Sequence, residues 1–182
     1  MKYFIRHKLK HWIYDNHFLI SCALIIGAFL FWALVPVLHN KEFLGSAVAS
    51  AIGLSYFALT NHLKEVGIFK ELFERYNQGY NKMNERLNGI RGEPDDKALS
   101  GSEIDTLFDY FNLCGEEYLY FKKGMIYPEV WFAWLNGMRV FYKCERIRGL
   151  WNKELESGSY YGLSSEILQG AQCKEFCSRR DA

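Results

Sequence analysis

The feature that most limits what this chain can fold into is an uncharged run from Phe18 to Leu38, FLISCALIIGAFLFWALVPVL. At the helical rise of 1.5 Å per residue, roughly 20 residues cross a hydrocarbon core of about 30 Å. The run is long enough to span. A second uncharged run, Phe43 to Thr60 (FLGSAVASAIGLSYFALT), follows the polar His39-Asn40-Lys41-Glu42 and is at the short end of the spanning range. Two such runs joined by a tight polar linker predict a transmembrane helical hairpin over 17–60, with spans at about 18–38 and 43–60. Pro36 falls in the last turn of the first helix, where a lost hydrogen bond costs least. A signal peptide fits poorly: the apolar stretch is too long, and Ala49-Ser50-Ala51, which has cleavage-site letters, lies inside the second run.

Flanking cations set the expected orientation. Lys2, Arg6, Lys8 and Lys10 precede the first run, Lys64, Lys70 and Arg75 follow the second, and only Lys41 lies between. Both termini are therefore expected inside, with the short loop outside. The leading segment, 1–16, places Ile5, Leu9, Trp12 and Ile13 on one helical face among basic residues. A helix lying in the membrane interface and a disordered basic leader fit it equally well.

Within the spans, Gly45, Ala49 and Gly53 recur every four residues, as do Ala23 and Gly27 in the first run. Small residues at this interval let helix backbones approach closely. Packing inside the hairpin is the expected use, and association between copies is the alternative. Neither span holds Asp, Glu, Lys, Arg or His, which weighs against a transporter or proton relay. A pore lined by Ser46, Ser50 and Ser55 stays open.

The rest reads as an ordinary soluble protein, a helical domain over 61–182. From Asn61 onward there are 17 Lys/Arg against 19 Asp/Glu, so the basic excess of a phosphate-binding surface is absent and no direct nucleic-acid contact is expected. Phe69, Phe73, Tyr76, Tyr80, Met83, Leu87 and Ile90 alternate at spacings of four and three, a heptad seam expected to pack on its own domain, with self-association second. Arg91-Gly92-Glu93-Pro94 ends that helix. Ser100 with Glu103 offers a capping box for the next, whose stripe is Ile104, Leu107, Phe108, Phe111, Cys114 and Tyr118, and Gly124 stops it. Pro128 suits a first helical turn, and Val130, Trp131, Trp134, Leu135, Met138 and Phe141 form the buried side that follows. A short helix from Arg146 to Leu155 turns Ile147, Leu150 and Trp151 inward. A weak helix is expected from Ser164 on. No strand alternation persists, so the fold class is all-α.

Chemistry is sparse. All five histidines (His7, His11, His17, His39, His62) lie in the first third, which disfavours His-based catalysis and most zinc enzymes in the soluble part. Phosphate-cradling, nucleophile-elbow and dinucleotide motifs are missing. The five cysteines are an odd count without framework spacing, and Cys173-x-x-x-Cys177 lacks a second pair, so reduced thiols without a metal are expected. No enzyme activity and no cofactor are expected. The densest polar grouping is Glu116, Glu117, Lys122 and Lys123, then Glu129, Arg139, Arg146 and Arg148. Adjacent glutamates point about 100° apart on a helix, so they are not an acid/base dyad. One buried against an arginine, the other solvated, is the leading account. A recognition surface of Glu116, Glu117, Lys122, Lys123, Arg146, Arg148 and Trp151 is the sharper alternative.

The stretch Tyr110 to Tyr118, with Lys122 to Ile126, Glu129 to Trp131, Trp134, Asn136 to Met138, and Arg146 to Arg148 before Trp151, resembles a bacterial helical domain of uncharacterised function, of the DUF4760-like type. The resemblance covers roughly 65–162 and none of the hairpin. Chains of this layout are similar to the two-transmembrane effectors of bacterial retrons, encoded beside a reverse transcriptase and its RNA–DNA. That resemblance implies an inner-membrane protein of antiphage abortive infection that damages the membrane when released by a partner complex. Implied partners are membrane lipid, further copies of the chain, and a reverse transcriptase contacted through protein. A passive membrane-tethered adaptor is the alternative.

Overall fold

The computed structural model describes residues 12–14, 16–34 and 41–170. Among these residues the secondary structure is helical throughout, without strands, so the protein is all-α. The helices are α1 (His17–Leu34), α2 (Lys41–Gly92), α3 (Gly101–Lys122), α4 (Pro128–Tyr142), α5 (Glu145–Leu155) and α6 (Ser165–Gln169). The chain divides into two compact units, Met1–Ile68 and Phe69–Ala182.

In the first unit, α1 is apolar all round and buries no residue. A helix apolar on every side needs an apolar surround, and His17–Leu34 is, among the described residues, the one helix long and apolar enough to cross a membrane. The second expected span, 43–60, lies inside α2, whose first part is diluted by Gly45, Ser46, Ser50, Gly53, Ser55 and Tyr56. Lys41 and Glu42 are helical rather than linker. Pro36, His39 and Asn40 lie outside the described residues, as do Cys173, Cys177 and most of the N-terminal segment. α1 meets α2 where the Ser21 and Ser55 hydroxyls touch. Farther along, the Tyr14 hydroxyl donates to Glu65 at 3.3 Å, and the Tyr14 ring lies 5.1 Å from that of His62. Advancing on one helix goes with retreating on the other, so their registration is antiparallel.

The second unit is built on aromatic packing. Trp151 of α5 stacks on Phe111 of α3 at 4.6 Å and meets Tyr110 and Tyr142 edge-on at 5.6 and 5.7 Å. Trp131 of α4 stacks on Phe121 at 5.0 Å. The heptad seam packs on its own domain: Tyr76 meets Trp134 edge-on at 5.7 Å, and Tyr80 faces Phe141 and Tyr110. One position differs from the expected seam. Leu72 takes the buried site (7 % exposed), while Phe73 is 38 % exposed and lays its face on Trp134. A flat ring can cover a neighbour from the surface, so a branched aliphatic residue one position earlier fills the interior.

Local signals fix the helix ends. The capping box at Ser100 and Glu103 is formed in both directions, Pro128 opens α4, and α3 stops before Gly124 at φ +78°. The connection after α5 turns on Gly158 and Gly162, with Tyr161 between them at φ +56°. For a bulky side chain that conformation is unfavourable, and Lys122 Nζ holds it by donating to the Tyr161 carbonyl at 2.9 Å. The expected tail helix is short: α6 ends at Gly170, φ +93°.

Candidate functional site

Two groups of residues carried functional expectations, one in each unit. In the first, the stripe of small residues does not serve the contact between α1 and α2. Ala23, Gly27, Gly45, Ala49 and Gly53 are all exposed, and a Cβ built on Gly27, Gly45 or Gly53 meets nothing within 4 Å. The contact uses another side of α2, where Ala51 is buried at 4 % exposure and Ser55 reaches Ser21. The expectation of packing within the hairpin therefore fails for the glycine face. Spacing alone marks a close-packing face but does not say which neighbour takes it.

In the second unit, the seven candidate recognition residues separate into interior and surface. Glu117 (5 %), Arg146 (7 %) and Trp151 (0 %) are buried, so they act through the domain's own packing rather than by presenting themselves to a partner. The Trp151 indole N–H has no hydrogen-bond partner among the described residues. Glu116, Lys122, Lys123 and Arg148 remain toward the surface. Glu116 pairs with Arg75 of α2 at 3.0 Å, and Arg148 pairs with Glu145 within α5. The Lys123 ammonium lies 5.6 Å from the Tyr120 ring centre, and the Arg75 guanidinium covers the same ring at 5.8 Å.

The expected pairing of a buried glutamate with an arginine is replaced by two separate arrangements. Arg146 spends its guanidinium on the junction between α2 and α3. Its Nη1 donates to the Ile90 carbonyl at 2.9 Å, its Nε to Lys97 O at 2.6 Å, and its Nη2 to Ala98 O at 3.4 Å and the Glu103 carboxylate at 3.3 Å. Ile90 belongs to the last turn of α2, whose carbonyls have no partners inside the helix. Glu103 also accepts from the Ser100 backbone N–H at 2.7 Å and the Ser100 hydroxyl at 2.8 Å. Those bonds, with Arg146 adding to them, hold its carboxyl below the usual range. One carboxylate thus caps α3 and neutralises the arginine that caps α2.

Glu117 has no such company. It lies beyond Cys114 and Tyr110 on α3, and burial alone pushes its carboxyl up to about 8. Burial likewise raises the Cys114 thiol and the Tyr110 hydroxyl. Nothing here resembles a metal centre: among the described residues no three His, Cys, Asp or Glu side chains converge. Comparison with protein-family models, curated proteins and solved structures gives no match to this chain.

Proposed function

We propose that this chain is a membrane-resident effector whose N-terminal part crosses the bacterial inner membrane as a two-helix hairpin, termini inside, and damages that membrane when a partner complex releases it. The setting proposed is retron-like antiphage abortive infection. The observation that carries the reading is the uncovered face of Gly45, Ala49 and Gly53, which leaves room for the backbone of another copy. In lipid, close backbone approach is a main source of helix association. The outward apolar surface of α1 supports the same picture. The helical domain, through Glu116, Lys122, Lys123 and Arg148, is the part offered to a protein partner.

Membrane potential and dye entry in bacteria expressing the chain test this directly. Expression alone should depolarise the cells, and coexpression of the partner genes should suppress it. Replacing Gly45 and Gly53 with Leu should abolish the damage while leaving insertion intact. Damage unchanged by those substitutions removes the glycine face from the mechanism. A passive tether recruiting a cytoplasmic partner is the second reading, favoured by the surface charges of the helical domain. It predicts that unrelated transmembrane helices replace the hairpin without loss.

A further inference from the structure

The interior of the helical domain contains one acid that the packing leaves without a partner. Tyr110, Cys114 and Glu117 lie at i, i+4 and i+7 on α3, so their side chains share one face. They are 3 %, 1 % and 5 % exposed. The Tyr110 and Cys114 side chains bond to each other. No hydrogen bond or ion pair reaches the Glu117 carboxyl among the described residues, and burial is the whole cause of its raised value.

The groups around this cluster do not compensate a charge. On α3, Tyr110 and Cys114 are neutral and stay so well into alkaline solution, because burial raises both. On α2, Tyr80 couples to the same pair, and burial raises it too. The cations of the packed helices are committed elsewhere. Arg75 binds Glu116, Arg139 of α4 donates to the Ile167 and Leu168 carbonyls near the end of α6, and Arg146 of α5 binds Glu103 and three carbonyls. An unpaired carboxylate in such a place is strongly disfavoured, so the group keeps its proton or the packing opens to hydrate it.

We propose that the Tyr110–Cys114–Glu117 cluster is a proton-operated lock in the helical domain: with Glu117 protonated, α3 stays closed on its neighbours, and loss of that proton to solvent opens this face to water. The direction is fixed by linkage. A carboxyl raised in the folded state costs stability progressively from its ordinary value of 4.5 up to about 8, and the cost is complete above that. The closed form is therefore favoured on the acid side of about pH 8. The lock belongs to the helical domain alone and stands or falls independently of any action on the membrane.

The test uses the full chain in detergent micelles, with carbon-13 at the glutamate carboxyls and the Glu117 signal assigned by its absence in Glu117→Gln. The carboxyl shift and the near-ultraviolet circular dichroism of the aromatic core are followed from pH 6 to pH 9. The wild-type carboxyl should titrate near 8, and the aromatic signal should fall with the same midpoint. Glu117→Gln should hold a flat aromatic signal across that window. A carboxyl already ionised at pH 6 overturns the lock, as does an aromatic signal of the same pH dependence in both chains. Should the variant fail to fold, the wild type alone decides, because two separated midpoints also overturn it.

Discussion

Arg146→Met is the substitution whose cost the structure specifies best. The methionine keeps much of the buried length but removes every donor. Four acceptors lose their partner: the carbonyls of Ile90, Lys97 and Ala98, and the Glu103 carboxylate. A buried group left without its hydrogen bond costs about 1–3 kcal/mol. The Ile90 carbonyl lies in a fully buried bond and bears that cost in full. Lys97 O and Ala98 O are in part-buried bonds, where water can replace some of the loss. Glu103 is 21 % exposed and keeps both bonds from Ser100, so it is spared most of the penalty. The total is about 3–5 kcal/mol, the range expected when one partner of a buried ion pair is removed. Against a typical stability of about 5–15 kcal/mol, that leaves a marginal domain. Arg146→Lys should recover roughly half, since an ammonium satisfies fewer of these acceptors than a planar fork. Denaturant unfolding of the full chain in detergent, read by near-ultraviolet circular dichroism, measures both. A loss below about 1 kcal/mol for the methionine variant, or equal stability of Lys and Arg, refutes the assignment of Arg146 as the joint between α2 and α3.

The same joint predicts a pH dependence of opposite sign to that of Glu117. Glu103 is held below 4.5, so its contribution is present above that value and is lost as pH falls through the lower folded value; acid titration of Ser100→Ala should show that loss beginning at higher pH than in the wild type. Two glycines separate close approach from mere presence. A Cβ on Gly115 meets the Tyr160 side chain at 3.2 Å and its backbone Cα at 3.4 Å, so Gly115→Ala should destabilise by about 1–3 kcal/mol. A Cβ on Gly79 meets the tip of Leu113 at 3.1 Å, which can move, so Gly79→Ala should be neutral or up to about 1 kcal/mol stabilising through helix propensity. Thermal unfolding of the two variants side by side reads the contrast.

What the sequence revealed and what it hid divide by distance along the chain. The capping box at Ser100, the proline opening of α4 and the glycine stop at Gly124 are local devices, legible because partner and target lie within a few residues. The helical class follows from periodicity for the same reason. Which of Glu116 and Glu117 turns inward is hidden, since neighbours on a helix differ only in the direction they face, and that is decided by helices elsewhere. The partners of Arg146 lie 43 to 56 residues away, and no spacing rule reaches that far. Leu72 and Phe73 compete for one site, and a flat ring on Trp134 settles it in a way composition does not announce.

The glycine stripe shows how a correct pattern can be given the wrong neighbour. On an α-helix, positions two apart differ by about 200° around the axis, so the Gly45/Ala49/Gly53 face lies nearly opposite a stripe of Ala47, Ala51 and Ser55. The second stripe is the one α1 uses, through buried Ala51 and the Ser21–Ser55 contact. Small residues on one side of a helix are explained by a single close neighbour. On two opposite sides they are not, because a face turned to lipid gains nothing from glycine, which lowers helix stability by about 1 kcal/mol relative to alanine. A helix that has met its in-chain partner with alanine and serine, yet keeps two glycines on the far side, is shaped for a second helix. Lipid composition and thickness alter how well α1 is solvated but do not supply that backbone contact, which only another helix offers.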